Sequence, residues 1–266
     1  MGTKRGNDGG DNKRVKKFKV ASGFLDPGTS GLYATCSRRK ERQAIQELAG
    51  VLEEKIEEIY GEISQDDDDK DNEDKLSIED EIAKELKELK EKKEDQDKKQ
   101  LLKPIDLSCE CVVFFKTRKP VVPTELVKNV IEDFGNPENM EKRTRYIQKL
   151  TPITYSCNAT KEQFQKLIDQ IIEPVFKTEK IFKFAVEVTR RNFNTMERMD
   201  IINQVVGSVM KLGDHKVDLK AYDKVIMVEC FKNNIGMSIL DSDYSQKYKK
   251  YNVQQLYEAK YKDNEK

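Results

Sequence analysis

Between residues 160 and 240 the apolar positions of this chain change their spacing three times, and that alternation restricts it to an α+β fold. In 182–189, Phe182, Phe184, Val186 and Val188 alternate with Lys183, Ala185, Glu187 and Thr189, the period-two pattern of a half-buried strand. The stretch before it, 160–176, sets Phe164, Leu167, Ile168, Ile171, Ile172 and Val175 at three- and four-residue steps. The stretch after it, 195–211, does the same with Ile201, Ile202, Val205, Val206 and Val209. Each gives one buried helical stripe. Residues 224–231 and 235–240 then read as a hairpin around a turn at 233–236. Helix, strand, helix, strand, strand around one sheet predicts a small α+β domain.

The same alternation occurs upstream, with an interruption. Residues 32–37 read as a short strand and 40–60 as a helix, whose stripe is Ile45, Leu48, Leu52, Ile56 and Ile59, with Gly61 placed to stop it. The run IDLSCECVVFFK, 105–116, has the length and the β-branched and aromatic content of one buried strand. Pro120 and Pro123 mark a turn, and 124–134 read as a helix closed by Gly135. Strand–helix, strand–helix predicts a ferredoxin-like domain. Within it, residues 62–100 carry 17 acids against 9 bases, and the four aspartates at 66–69 cannot pack. Ser77 opens a capping box there, with Ile78, Ile82, Leu86 and Leu89 as a narrow stripe, read as a solvated helix or as a dock for a partner helix. The expected division is a disordered basic tail at 1–30, a ferredoxin-like domain at 31–140 with the acidic insertion at 62–103, a second α+β domain at 141–245, and a C-terminal tail or helix at 246–266.

The 49 basic and 49 acidic residues balance, but the acids concentrate in the insertion, which leaves the rest of the chain basic. That is an electrostatic footprint for a polyanion, and on charge alone a merely soluble surface explains it equally well. The basic cluster KRVKKFK at 13–19 suits importins or nucleic acid, and it sets the expectation of a nuclear or nucleolar protein, with the cytoplasm as the alternative. Five cysteines, an odd count in mostly apolar runs, read as reduced buried thiols. No apolar run is long enough to span a membrane.

Catalytic chemistry is poorly represented. The single histidine, His215, follows Gly213 and Asp214 in a turn and reads as a satisfied or solvated residue. Cys109 and Cys111 have the wrong spacing for a zinc pair and, as alternate strand residues, are expected to enter a core together. There is no glycine-rich strand-to-helix loop and no Walker lysine. The expectation is a non-enzyme with no catalytic residues, metal, cofactor or small-molecule substrate. Basic and amide side chains do recur at the ends of elements. They are Arg38, Arg39, Arg143, Arg145, Lys149, Lys183, Arg190, Arg191 and Lys232, interleaved with Tyr146, Asn192, Phe193, Asn194, Asn233 and Asn234. Arginine and lysine attract phosphate, amides reach sugar hydroxyls and base edges, and an aromatic ring stacks an unpaired base. RNA binding and protein interaction are both open on these residues.

Longer strings carry a resemblance. FAVEVTRRNFNTMERMDIINQVV at 184–206 and VDLKAYDKVIMVECFKNNIGMSIL at 217–240 resemble the THUMP domain of RNA-modifying proteins. GFLDPGTSGLYATCSRRKERQA at 23–44 and MEKRTRYIQKLTPITYSCNA at 140–159 are similar to the eukaryotic THUMP-domain adaptor family of the tRNA cytidine acetyltransferase. The resemblance implies an N-terminal ferredoxin-like domain followed by a THUMP domain at 141–245. It also implies a non-catalytic adaptor that presents tRNA, chiefly serine and leucine species, to a separate RNA cytidine acetyltransferase making N4-acetylcytidine in the D-arm. Arg190 and Arg191 stand where such a THUMP domain meets RNA. An RNA modifier with an unrecognised active site, and an interaction module that never touches RNA, remain the alternatives.

Overall fold

A computed structural model describes residues 21–22, 25–61, 100–139 and 141–264. The basic cluster at 13–19 and the expected helix behind Ser77 lie outside the described residues. Two five-stranded sheets organise the rest.

The first sheet is built from β1 (Ala21–Ser22), β2 (Ser30–Cys36), β3 (Leu102–Asp106), β4 (Val112–Thr117) and β5 (Ile147–Ile153), in the order β1-β3-β4-β2-β5. All pairings are antiparallel except β1 with β3. Helices α1 (Glu41–Tyr60) and α2 (Pro123–Gly135) cover one face. Leu32 and Ala34 from β2, Val113 and Phe115 from β4, Leu48 and Leu52 from α1, and Val130 and Phe134 from α2 meet there, each at most 2% exposed. Full burial of side chains this large contributes roughly 1.5–3 kcal/mol apiece, so the core outweighs any surface ion pair.

The second sheet, ordered β6-β10-β9-β7-β8, comprises β6 (Tyr155–Asn158), β7 (Lys183–Arg191), β8 (Lys216–Val217), β9 (Lys224–Phe231) and β10 (Asn234–Asp241). Helices α3 (Lys161–Phe176) and α4 (Arg198–Met210) cover one face, over Phe184, Val188, Ile226 and Val228. Thr160 caps α3 by accepting from Gln163 N at 3.3 Å, an N-terminus fixed by its own sequence. Helix α4 holds a glycine in its interior, Gly207, which is exposed and has nothing within 4 Å of where a Cβ would stand. Gly207→Ala is therefore expected to raise stability by about 0.5–1 kcal/mol, read by thermal or urea unfolding. No gain would mean that α4 is strained at this turn.

Five expectations need correction. Order begins by Ala21, not after residue 30, because Ala21 and Ser22 pair with Ile105 and Asp106 while Leu25 and Thr29 are buried. The run 105–116 is not one strand. Asp106 Oδ1 accepts from Ser108 N at 2.8 Å, and Ser108 and Cys111 adopt φ of 50° and 62°, so the chain reverses into a β3–β4 hairpin. Cys109 and Cys111 consequently sit half-buried in that turn, whereas Cys36, Cys157 and Cys230 are buried. The boundary expected at residue 140 falls inside the first unit, since β5 pairs with β2 and the chain changes sheets between Ile153 and Tyr155. The β9–β10 turn is Lys232 and Asn233, with Phe231 facing Asn234, and Gly236 lies within β10.

The C-terminal segment, expected to be a tail or helix, does form a helix, and it packs into the core. After α5 (Asp243–Gln246) and a 3-10 turn (Lys249–Tyr251), α6 (Val253–Asn264) runs back across α2. Tyr244, Tyr248, Tyr251, Leu256 and Tyr257 are all buried and join the first core to Ala185, Val225 and Met227 from the second sheet's other face. Their hydroxyls are used: Tyr248 donates to Glu132 at 2.6 Å and Tyr244 to Glu187 at 3.3 Å. No helix among the described residues is long and apolar enough to cross a membrane.

Candidate nucleic-acid interface

The turn at 107–111 is where the ends of both sheets meet. From α1, Glu41 Oε1 accepts from Cys111 N at 2.8 Å, which holds the Glu41 carboxyl below the usual range. Arg38, just past β2, donates from Nε to Glu110 at 3.0 Å, with both side chains about two-thirds exposed at 68% and 67%. From the second sheet, Lys232 Nζ donates to Leu107 O at 3.1 Å, and Asn192 Nδ2 lies 3.9 Å from Cys109 Sγ. Asn192 has φ 51° and, like Asn194 and Asn233, is exposed.

A second group of the expected residues lies against α1. Glu47 accepts from Tyr146 N at 2.6 Å and from Arg145 N at 3.0 Å, so one carboxylate pins the backbone ahead of β5. Arg145 and Arg39 are exposed, and the Tyr146 carbonyl accepts from Ser37 N at 2.9 Å, which sets this group beside Arg38. Lys40 Nζ stands 5.5 Å from the Tyr146 ring centroid. Arg143 is half-buried and forms an ion pair with Glu54.

The two arginines at the end of β7 do not act as a pair. Strand β7 continues through both, with Arg190 opposite Cys230 and Arg191 opposite Phe231, so they project to opposite faces of the sheet. The strand thus extends two residues past the apolar alternation read at 182–189. Arg190 Nη1 donates to Met196 O at 3.0 Å and lies 3.5 Å from Glu197, bracing the loop into α4. Arg191 faces the first sheet, beside Glu229. That carboxylate is 5% exposed, and burial raises its pKa against the pull of Arg191, Thr189 and Lys149. Lys149 belongs to the same buried cluster. Burial lowers its pKa, and its ammonium lies 5.7 Å from the Tyr244 ring centroid.

Other expected contacts are placed elsewhere. Lys183 opens the nine-residue β7, at the end opposite Arg191, and pairs with Asp218 at 3.5 Å. Phe193 is 4% exposed in the second core and is not available to stack a base. Asn234 is buried, donating to Leu25 O at 3.3 Å. His215 is no surface residue: it is 2% exposed, accepts from Phe182 N at Nδ1, 3.2 Å, and reaches Phe176 O from Nε2 at 2.9 Å. Both ring nitrogens are committed to backbone. The expected groups tied to the 107–111 turn are therefore Arg38 on the first unit and Asn192 and Lys232 on the second, with Arg39 and Asn233 exposed next to them, Arg145 near Arg38 through the Ser37–Tyr146 bond, and Arg190 on the face of β7 opposite Arg191.

Sequence reasoning missed the acids that shape this region. Glu41 and Glu47 sit on the solvent side of a helical stripe and carry no signal of their own. Glu229 did carry one, as the only charge within the apolar run VIMVECF.

With the geometry in place, residues 158–240 match the model of the THUMP domain, which makes this a THUMP-domain protein. The chain is 59% identical over 283 residues, covering 100% of itself and 98% of the relative, to a Saccharomyces cerevisiae protein named tRNA acetyltransferase TAN1. It is 33% identical over 243 residues, 91% of itself and 80% of the relative, to an uncharacterized protein of Schizosaccharomyces pombe. It is 27% identical over 235 residues, 87% of itself and 65% of the relative, to THUMP domain-containing protein 1 of Homo sapiens. The chain belongs to the eukaryotic THUMP-domain protein family that includes these relatives.

Proposed function

We propose that this chain is a tRNA-binding adaptor that makes no bond itself and presents tRNA to a separate acetyltransferase forming N4-acetylcytidine. The name of the Saccharomyces relative supports a place in tRNA acetylation. The observation that carries RNA binding is that Arg38 of the first unit and Lys232 and Asn192 of the second all reach the 107–111 turn, with Arg39, Arg145 and Asn233 exposed close by in the chain or through the Ser37–Tyr146 bond. Single-stranded or flexible RNA laid across that edge meets phosphate-binding cations from both sheets and amides suited to sugar and base edges. The strand order β3-β4-β2-β5, with its helix–strand–strand–helix connections, supports reading 30–153 as the ferredoxin-like unit. Serine and leucine tRNAs as substrates, the D-arm as target and a nuclear location belong to the same proposal.

Replacing Arg38, Arg39 and Arg145 together with alanine tests the RNA edge. The one ion pair lost is exposed and is worth about 0–1 kcal/mol at most, so the fold should hold. The slope of log K against log salt for tRNA should fall by about 2, at ~0.7 per lost single-strand contact. Lys183→Ala should leave it unchanged. An unaltered slope in the triple variant removes this edge from the interface.

The name of the Saccharomyces relative also supports the opposite reading, in which the chain itself transfers acetyl groups. Purified chain incubated with acetyl-CoA, ATP and tRNA distinguishes the two. Acetylcytidine formed without a second protein overturns the adaptor reading.

A further inference from the structure

An adaptor needs a surface besides the one that holds RNA, and α4 supplies one of unusual composition. Its buried side is Ile201, Val205, Ser208 and Val209. Its outer side runs Met199, Asn203, Gly207, Met210, at steps of three and four, with Val206 half-buried alongside; Met199 is 59% and Met210 48% exposed. From Ile201 to Met210 there is no charged residue, in a chain of which 37% is charged. On α4 the exposed charges are confined to its ends, Arg198 and Asp200 in the first turn and Lys211 at the C-cap, whereas α1 and α3 also carry them along their length, at Glu54, Glu57, Lys166 and Glu173. Scattered exposed apolar residues are ordinary, but a charge-free, methionine-bearing stripe has the composition of an interface core. Gly207 adds a gap that lets a partner backbone come close, at the sacrifice of helix stability noted above.

We propose that this face of α4 docks the acetyltransferase, through an uncharged apolar helix or strand on that enzyme. The inference rests on the adaptor reading. The stripe between Arg198 and Lys211 offers no cation of its own, so a polyanion gains little along it, and a highly charged segment would be desolvated there without compensation. Position fits as well. Helix α4 starts directly after the RNA edge, at the end of the loop that Arg190 braces, and its 13 residues run about 20 Å from it. An enzyme seated on α4 is thereby held beside the RNA.

The test uses the full chain and the purified tRNA cytidine acetyltransferase. In the variant Asn203→Arg with Gly207→Arg, both sites are exposed and a Cβ at 207 meets nothing, so the melting temperature should stay within a few degrees. Added cations cannot weaken RNA binding by repulsion. The expected result is at least tenfold weaker binding to the acetyltransferase with tRNA affinity not reduced. Undiminished binding to the enzyme overturns the proposal. Failure of the unaltered chain to bind the enzyme at all defeats the adaptor reading instead. A photo-crosslinking side chain at position 207, with one at 166 as control, gives a second readout that needs no disruption. Linkage to the acetyltransferase from 207 alone supports the proposal; linkage to a second copy of the chain, or to its own residues 62–99, overturns it.

Discussion

Gly31→Ala is expected to cost about 3 kcal/mol or more, and to lower the melting temperature by roughly 6–12 °C for a domain pair of this size. Gly31 sits in β2, the strand between β4 and β5, with φ 157°. A Cβ there would stand 2.1 Å from the Phe115 carbonyl oxygen and 2.9 Å from Phe114 Cζ. The nearest atom is backbone, so no side chain can swing aside. The strands must separate, and each ladder hydrogen bond lost costs about 1 kcal/mol more. Gly28→Ala is the control: its φ is 78°, but nothing lies within 4 Å of its Cβ, so only local backbone strain of about 1 kcal/mol applies. If both variants melt alike, close approach at Gly31 is not what the strand requires.

The second large effect concerns the buried cluster between the sheets. Arg191→Ala is expected to destabilise the fold by about 1–3 kcal/mol, because it strips a counter-charge from the buried Glu229. Glu229→Gln should be neutral or stabilising near neutral pH and should suppress most of the Arg191→Ala loss. A coupling below about 0.5 kcal/mol in that cycle means the two groups act independently. The pH dependence has a definite sign. The folded pKa of Glu229 lies above its unfolded value, so between the two the folded state binds the extra proton. Its contribution to stability is therefore greatest at pH below the ordinary carboxylate value and declines as pH rises toward the raised one. Glu229→Gln should flatten that decline. Because Arg191 is structural in this way, a combined Arg190→Ala and Arg191→Ala variant mixes lost stability with lost affinity, and Arg190→Ala alone is the cleaner probe of RNA.

Legibility in the sequence followed the range of the interactions. Strands β7 and β9 and helices α1, α3 and α4 were readable because a side-chain period reports a local face, and burial of Phe184, Val188, Ile201 and Val205 bears this out. The β3–β4 hairpin was not, because Val112 to Phe115 are buried without alternation and the turn is held by Asp106 together with partners distant in sequence, Glu41, Arg38 and Lys232. Pairing of β5 with β2 joins residues more than a hundred apart, and no local pattern encodes it. The candidate interface divided in the same way. Arginine is identifiable by type, but its availability depends on partners distant in sequence, such as Glu54 for Arg143 and Glu229 for Arg191.

The tyrosine-rich closing segment has a consequence for biogenesis. A ribosome releases the first sheet complete at Ile153, yet the core beneath α2 lacks Tyr248, Tyr251, Leu256 and Tyr257 until a further hundred or so residues have been translated. At about 5–20 residues per second that interval is roughly 5–20 s. Throughout it, apolar surface on α2 and the first sheet stays open to chaperones and to other nascent chains. A transcript broken before the codon for Tyr244 therefore yields a product with both sheets present and neither fully covered, a substrate for degradation rather than a shorter working protein.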